Sequence, residues 1–395
     1  MSDNGPRELI RIENLSKYYL RAVSAENRRF WKRNKGEPFK VLDQISLEIY
    51  PGETLGLVGE SGCGKTTLGQ VLLRLADEMV EGKVFFDGQD LYELDKKNLR
   101  YLRRRMQMIF QNPYAALNNH MKVKDIIAEG VKIKKTSFKE KIKERIGDLL
   151  EQVRFSKVKN ILSEREKIKK TSSKEKIKER IGDLLEQVNF PKRKMNCYPY
   201  QLSGGERRRV GIARVLAVEP NFLIADEPVA ALDLSIKSQI VNLIQDLKKT
   251  HGLTLLFISH DIGMVKYLSD RVAVMYLGKI VEKGANRAIR PRRCLHPYTF
   301  QLLQAAQFMS NNWENGYSLD RGKGEQIWDV PQDEIPTGCR YHPRCALYLE
   351  KNEPMDCKTK DPELQMIDAF YGEPHWVACH FPGEINPIVQ EEGRR

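Results

Sequence analysis

The residues Gly59-Glu60-Ser61-Gly62-Cys63-Gly64-Lys65-Thr66 have the spacing of a phosphate-binding loop, G-x-x-x-x-G-K-[ST]. Glycines at these positions let the backbone curl so that successive N–H groups converge on a polyphosphate. Lys65 can reach the outer phosphates, and the Thr66 hydroxyl can hold Mg²⁺. The chemistry offered is the binding of a nucleoside triphosphate. A second group follows at Asp226 and Glu227, which end the apolar run Phe222-Leu223-Ile224-Ala225. A strand there places Asp226 at the edge where metal and phosphates sit. Glu227, one residue on, is a candidate general base that polarises an attacking water. A third group, Leu202-Ser203-Gly204-Gly205-Glu206, opens a helical stretch. It is either a second anion site at a helix N-terminus or a plain serine N-cap. Two phosphate-directed elements are one too many for a single γ-phosphate. That surplus predicts a dimer in which each element serves the partner's nucleotide.

The elements that must position these groups are legible nearby. Thr54–Val58 reads as a strand entering the loop, and the stretch from Thr67 to Leu75 as the helix leaving it. The stretch from Arg207 to Ala217 reads as the helix after the third group. The fold class expected is α/β, a mixed sheet around the phosphate loop. At 395 residues there is room for two or three domains. No apolar run approaches the ~20 residues that span a bilayer, and Met1-Ser2-Asp3-Asn4-Gly5-Pro6 has no signal pattern. A cytoplasmic location follows, with cysteines free, metal-bound or cluster-bound rather than disulfide-paired.

The net charge is +13, and the segment from Lys132 to Phe190 carries 18 Lys/Arg against 10 Asp/Glu. Those charges interleave at helical spacing, which is the pattern of a solvated helix face. No nucleic-acid recognition module accompanies them, so no nucleic acid is expected as a partner. The same segment contains a repeat. Residues 132–155 and 167–190 are offset by 35 and differ only at Phe138/Ser173 and Arg154/Asn189. This near-identity reads as a recent tandem duplication, and two copies are too few for a solenoid. Each copy is an amphipathic helix, with Ile142, Ile146, Leu149, Leu150 and Val153 in the first. The second offers Ile177, Ile181, Leu184, Leu185 and Val188. One groove accepts one stripe, so the other copy is expected to loop out; packing beside the first and recruiting a partner are the alternatives.

Taken together, the chain resembles an ATP-binding-cassette ATPase subunit over about residues 8–385. Gly59–Thr66 matches Walker A, Leu202–Glu206 the signature motif and Phe222–Glu227 Walker B. Gln111, in Ile109-Phe110-Gln111-Asn112-Pro113, matches the Q-loop. Ala231-Leu232-Asp233 matches the D-loop, and His260 the switch histidine. Tyr19, rather than Tyr18, is the aromatic expected to stack on adenine. The resemblance implies that Glu227 and His260 act on the γ-phosphate. It assigns Tyr19, the loop Gly59–Thr66 with Thr67, and Gln111 to ATP. Thr66, Gln111 and Asp226 are assigned to Mg²⁺, and Ser203, Gly204, Gly205 and Glu206 to the partner's nucleotide. Asp233 belongs to the D-loop. Glu206 departs from the glutamine common in the family. Gln111 and Ser203 lie 92 positions apart, and the duplication accounts for the excess over family spacing. The cassette is expected over residues 1–285, with a helical subdomain at about 112–215 that contains the duplication and faces membrane subunits.

The stretch Gly52–Lys65, the basic insert from Arg21 to Lys40 and Leu295-His296-Pro297-Tyr298-Thr299 are similar to the oligopeptide/dipeptide-importer branch, close to the nickel and glutathione importers. Residues 286–395 are then the C-terminal extension of that branch. Cys339, Cys345, Cys357 and Cys379 lie there with spacing C-x5-C-x11-C-x21-C. Four thiolates suit an iron–sulfur cluster or a tetrahedral zinc, though the spacing is not that of a zinc ribbon. Free thiols are the third reading. Some members of the branch carry a [4Fe–4S] cluster in this tail. The gap from Cys345 to Cys357 is about five residues longer than in the branch. His342, His375 and His380 are spare ligand candidates or surface histidines.

The resemblance implies ATP hydrolysis that powers peptide import at the cytoplasmic face of the membrane. It implies a second ATPase subunit (identical or related), two permease subunits and an extracytoplasmic solute-binding protein. Rival readings are an importer for nickel, glutathione or sugar, and a soluble regulatory cassette ATPase not coupled to transport.

Overall fold

The computed structural model describes residues 7–20, 38–112, 117–133, 161–291, 293–309, 335–367 and 374–385. Within helices, the side chains of 161–173, 234 and 307–309 lie outside that description. In chain order the strands begin with β1 (Ile10–Leu20), β2 (Pro38–Ile49), β3 (Thr54–Val58), β4 (Val80–Phe86), β5 (Gln89–Asp90) and β6 (Met106–Ile109). They continue with β7 (Phe222–Asp226), β8 (Thr254–Ser259), β9 (Arg271–Tyr276), β10 (Lys279–Ala285), β11 (Gln365–Ile367) and β12 (His375–Val377). The longer helices are α1 (Lys65–Leu72), α2 (Lys96–Arg105), α3 (123–133) and α4 (Ile161–Gln187). After them come α5 (Gly204–Leu216), α6 (Leu234–His251), α7 (Ile262–Leu268) and α8 (Pro297–Met309). Two compact units result, Met1–Glu93 with Thr254–Arg395, and Leu94–Leu253.

In the first unit, β3 runs parallel to both β8 and β9. All five residues of β3 are buried, as are all six of β8. A strand covered on both faces reads as a continuous apolar run rather than an alternation, which is why Thr54–Val58 was recognisable. Antiparallel strands β10, β12 and β11 extend the sheet beyond β9. The C-terminal extension is therefore sewn into the sheet, with Glu282 opposite Val377 and Lys283 opposite Trp376. A separate antiparallel sheet has the order β2-β1-β4-β5. Helix α1 starts at Lys65, two residues earlier than the sequence suggests, and ends at Leu72. Gly64 is the cause: at φ 109° it turns the chain directly into the helix.

In the second unit, β6 runs parallel to β7, from Met106 opposite Phe222 to Ile109 opposite Ala225. Parallel register puts the ends of both strands on one side, so Gln111 and Glu227 emerge together. Helix α5 begins at Gly204, ahead of the expected Arg207. Helix α4 carries the second copy of the repeat. Its Ile181, Leu184 and Leu185 are buried, with Val188 just beyond the helix end, while Ile177 is half-buried. The first copy lies outside the described residues except for 132–133, and with it the expected looping out. The same is true of most of the basic insert, residues 21–37.

Candidate functional site

Within the first unit the phosphate loop is held from several sides. Gly59 is packed so closely that a Cβ there would sit 2.1 Å from the Met275 carbonyl oxygen. Gly62 and Gly64 have φ of 83° and 109°, a region costly for any residue with a side chain. The Lys65 ammonium donates to the carbonyls of Gly59 and Glu60, each at 2.8 Å, and lies 3.7 Å from the Cys63 sulfur. Burial pushes the Cys63 thiol pKa up against the pull of Lys65. Cys63 is thus a protonated filler of the loop rather than a nucleophile. The Cys63 carbonyl accepts from the Gly278 amide at 2.9 Å, and the Gly278 carbonyl accepts from the Asp43 amide at 3.0 Å. Gly278 is itself obligatory, with φ 84° and space for a Cβ only 2.4 Å from the Val41 oxygen. Ser61 is exposed at the rim, and Thr66 and Thr67 follow Lys65 in the first turn of α1.

Two more expected residues belong to this unit. Tyr19 lies near the end of β1 with 38% of its surface exposed and the Lys17 ammonium 4.4 Å from its ring centroid. Tyr18 instead commits its hydroxyl to Glu81 at 3.0 Å. The exposed ring is the one available for stacking. His260 is exposed at the end of β8. It is followed by Asp261, which caps α7 by accepting from the Met264 amide at 3.2 Å.

The second unit brings together the groups expected around hydrolysis. The Gln111 side-chain amide donates to the Glu227 carboxylate at 3.0 Å. Glu227 has φ 41°, a left-handed conformation that a non-glycine residue keeps only when its surroundings impose it. Asp226, one residue earlier, is buried at the end of β7. Arg208 carries no local signature in the sequence. Its guanidinium is buried and donates to the carbonyls of Gln111, at 2.8 Å, and Phe110. Burial lowers its pKa to about 10, against the attraction of Asp226. It stays charged at neutral pH and ties α5 to the Gln111 backbone.

Ser203 caps α5, accepting from the Glu206 amide at 3.2 Å, while the Glu206 carboxylate accepts from the Ser203 amide at 3.1 Å. This is a reciprocal capping box. Burial opposes ionisation of Glu206, but Lys194, 2.6 Å away, and the Ser203 amide outweigh it and lower its pKa. The glutamate in place of glutamine thus has a partner for its charge. Gly204 and Gly205 form the first turn, and a Cβ on Gly205 would be 3.0 Å from Ile236 of α6. Asp233 precedes α6 as its N-cap residue, and Ala231 just before it has φ 57°.

In the extension, the Cys339 amide donates to the Cys357 carbonyl at 2.9 Å. Burial pushes the Cys339 thiol up to about 12 and Cys345 up to about 11, and it raises Cys357 and Cys379 as well. For Cys379, Cys339, Cys345 and Cys357 add to the effect of burial. Among the described residues, however, no three His, Cys, Asp or Glu side chains are grouped to hold one metal ion. The histidines are engaged elsewhere. His342 Nδ1 pairs with the Cys339 carbonyl at 2.8 Å, and His380 Nε2 with the Lys360 carbonyl at 2.9 Å. His375 is not a surface histidine: it is fully buried, 2.7 Å from the Glu282 carboxylate. Pairing of β12 with β10 carries it inside.

A family model described as ABC transporter matches residues 42–230. A second, for the C-terminal region of oligopeptide/dipeptide transporters, matches residues 281–351. The oligopeptide transport ATP-binding protein OppF of Bacillus subtilis is 45% identical over 76% of this chain and 85% of its own. A putative peptide import ATP-binding protein of Brucella ovis is 37% identical over 94% of this chain and 97% of its own. The dipeptide transport ATP-binding protein DppF of Lactococcus lactis is 38% identical, over 76% and 81% respectively. Among solved structures, a dimeric bacterial ABC transporter cassette superposes with a TM-score of 0.51 and 24% identity. That match covers 70% of this chain and 99% of the cassette, and it shows the fold. No helix among the described residues is long and apolar enough to cross a membrane.

Proposed function

The chain belongs to the ATP-binding-cassette family of transporter ATPases, and from that premise we propose that it hydrolyses ATP to drive import of oligopeptides or dipeptides. The observation that carries the reading is the joint match of cassette and extension, each with relatives named for peptide transport. In this reading Lys65 and the loop amides bind the phosphates, and Tyr19 stacks on adenine. Thr66, Asp226 and Gln111 offer the hard oxygens that Mg²⁺ takes. That ion, when bound, neutralises phosphate charge. Glu227 orients and deprotonates water, His260 contacts the γ-phosphate, and Ser203 with Gly204 and Gly205 closes the nucleotide site of a second subunit. The Gln111–Glu227 bond holds the base in place. Little covalent chemistry is required, so catalysis is mostly positioning and charge stabilisation.

The chain works with a second ATPase subunit and two permeases at the cytoplasmic face, supplied by an external solute-binding protein. In the same reading Cys339, Cys345, Cys357 and Cys379 would supply the four thiolates that a [4Fe–4S] cluster takes. The test of the catalytic assignment is Glu227→Gln. ATP binding is expected to stay within about threefold while turnover falls by about a hundredfold or more. Near-normal hydrolysis in that variant would remove Glu227 from the role of base.

A further inference from the structure

Glu60 is an awkward residue to find inside a loop that binds a polyanion. A carboxylate beside the phosphate cradle repels the nucleotide's charge over distances within a Debye length, about 8 Å at physiological salt. The structure supplies the compensation from almost 300 residues downstream. Arg344, on the turn between Cys339 and Cys345, makes a two-pronged pair with Glu60. Its Nη1 lies 2.8 Å from Oε2 and its Nη2 2.9 Å from Oε1. Arg344 is well covered, with 16% of its side chain exposed. Its guanidinium also lies 5.9 Å from the ring centroid of Tyr276. Tyr276, Tyr298 and Tyr341 form a buried aromatic cluster behind it, with centroids 4.6 to 5.4 Å apart. From that cluster the Tyr298 hydroxyl accepts the Glu60 amide at 2.9 Å. The Glu60 carbonyl accepts from Lys65. Every polar group of Glu60 is thereby committed, and two of the three commitments come from the C-terminal extension.

We propose that Arg344 is a positioning residue of the nucleotide site, neutralising Glu60 so that the phosphate loop can accept ATP. The extension thus completes the cassette it follows. It holds the loop in place through the Glu60 amide and offsets the loop's one negative side chain. This rests on the ATPase reading given above.

The sign of a double substitution separates this role from a merely structural one. Steady-state MgATP hydrolysis is measured on the full chain, as wild type, Arg344→Gln, Glu60→Gln and the pair together. Arg344→Gln alone exposes an uncompensated carboxylate and is expected to raise KM for ATP about three- to tenfold, with kcat within about twofold. Removing that carboxylate as well, in the pair, is expected to return KM to within about twofold of wild type. An unchanged KM in Arg344→Gln overturns the proposal. So does a pair as impaired as, or worse than, Arg344→Gln. If Arg344→Gln fails to fold, the pair still decides. Recovery of a folded, ATP-hydrolysing pair supports charge compensation, and an unfolded pair makes Arg344 a structural residue only. A wild-type chain that hydrolyses no ATP would instead overturn the ATPase reading.

Discussion

His296 lies in the interior of the first unit with its Nδ1 accepting the Tyr298 amide at 3.1 Å. Burial lowers its pKa to about 4, against the pull of Glu282. The ring is therefore neutral in the folded chain throughout the range in which an unfolded histidine protonates. Between pH 6.5 and about 4 the unfolded state binds the extra proton, so stability falls as pH falls. Burial opposes ionisation of Glu282, but His375 and the Leu295 amide outweigh it and hold its pKa below the ordinary value. Its contribution adds to the loss only at still lower pH. From pH 7 to pH 5 the expected cost from His296 is about 2 kcal/mol. Urea unfolding of wild type and His296→Gln at the two pH values measures it, because the remaining titrations cancel. Equal acid losses in both proteins would remove His296 as the cause. At this scale, legibility depends on distance along the chain. Lys65, Thr66 and Glu227 stand out in the sequence because their motifs are made of immediate neighbours. Arg208, Tyr298 and Arg344 do not, because each acts on a residue more than 95 positions away and carries no local signature.

Among elements, buried parallel strands were the easiest to read. Strand β3 has the bounds expected from its run and β7 ends one residue earlier, at Asp226, because both faces are covered and the interior residues are apolar. Helix starts were less exact. Sequence placed the two helices after the glycine-bearing loops at Thr67 and Arg207, and they begin at Lys65 and Gly204. Gly64 in the left-handed region and the Ser203–Glu206 capping box start each helix earlier than its apolar pattern shows. The extension was harder still, since β12 reaches it by pairing with β10 and Cys339 bonds the Cys357 backbone, links that short sequence spacing does not show. Burial raises its cysteine thiols, so the proposed cluster would have to displace their protons to bind. About four irons and four acid-labile sulfides per chain are expected in protein purified without oxygen. Cys379→Ser is expected to lower that content sharply. Zinc in place of iron would make the four cysteines zinc ligands, and no metal in fresh anaerobic protein would leave them structural thiols.

At the scale of the whole molecule, the duplication tests how much extra chain a cassette tolerates. The two copies are nearly identical and compete for the same kind of groove. The second one docks: Ile181, Leu184, Leu185 and Val188 are buried, and Arg180 pairs with Glu219 at 2.9 Å. The same apolar stripe in the first copy cannot occupy that position as well. Deleting residues 132–166 joins Val131 to Lys167, which reproduces the original Val131–Lys132 junction and leaves the docked copy intact. Surface insertions cost little closure entropy, since doubling a loop adds only about 0.6 kcal/mol. The shortened chain is therefore expected to keep its Tm within about 4 °C and its ATP turnover within about twofold. Thermal unfolding and steady-state hydrolysis on both chains measure this. A large drop in Tm would mean that the first copy is packed into the fold and stabilises it. A large gain in hydrolysis or in peptide import would mean that the deleted copy obstructs the importer, so that the duplication impairs it.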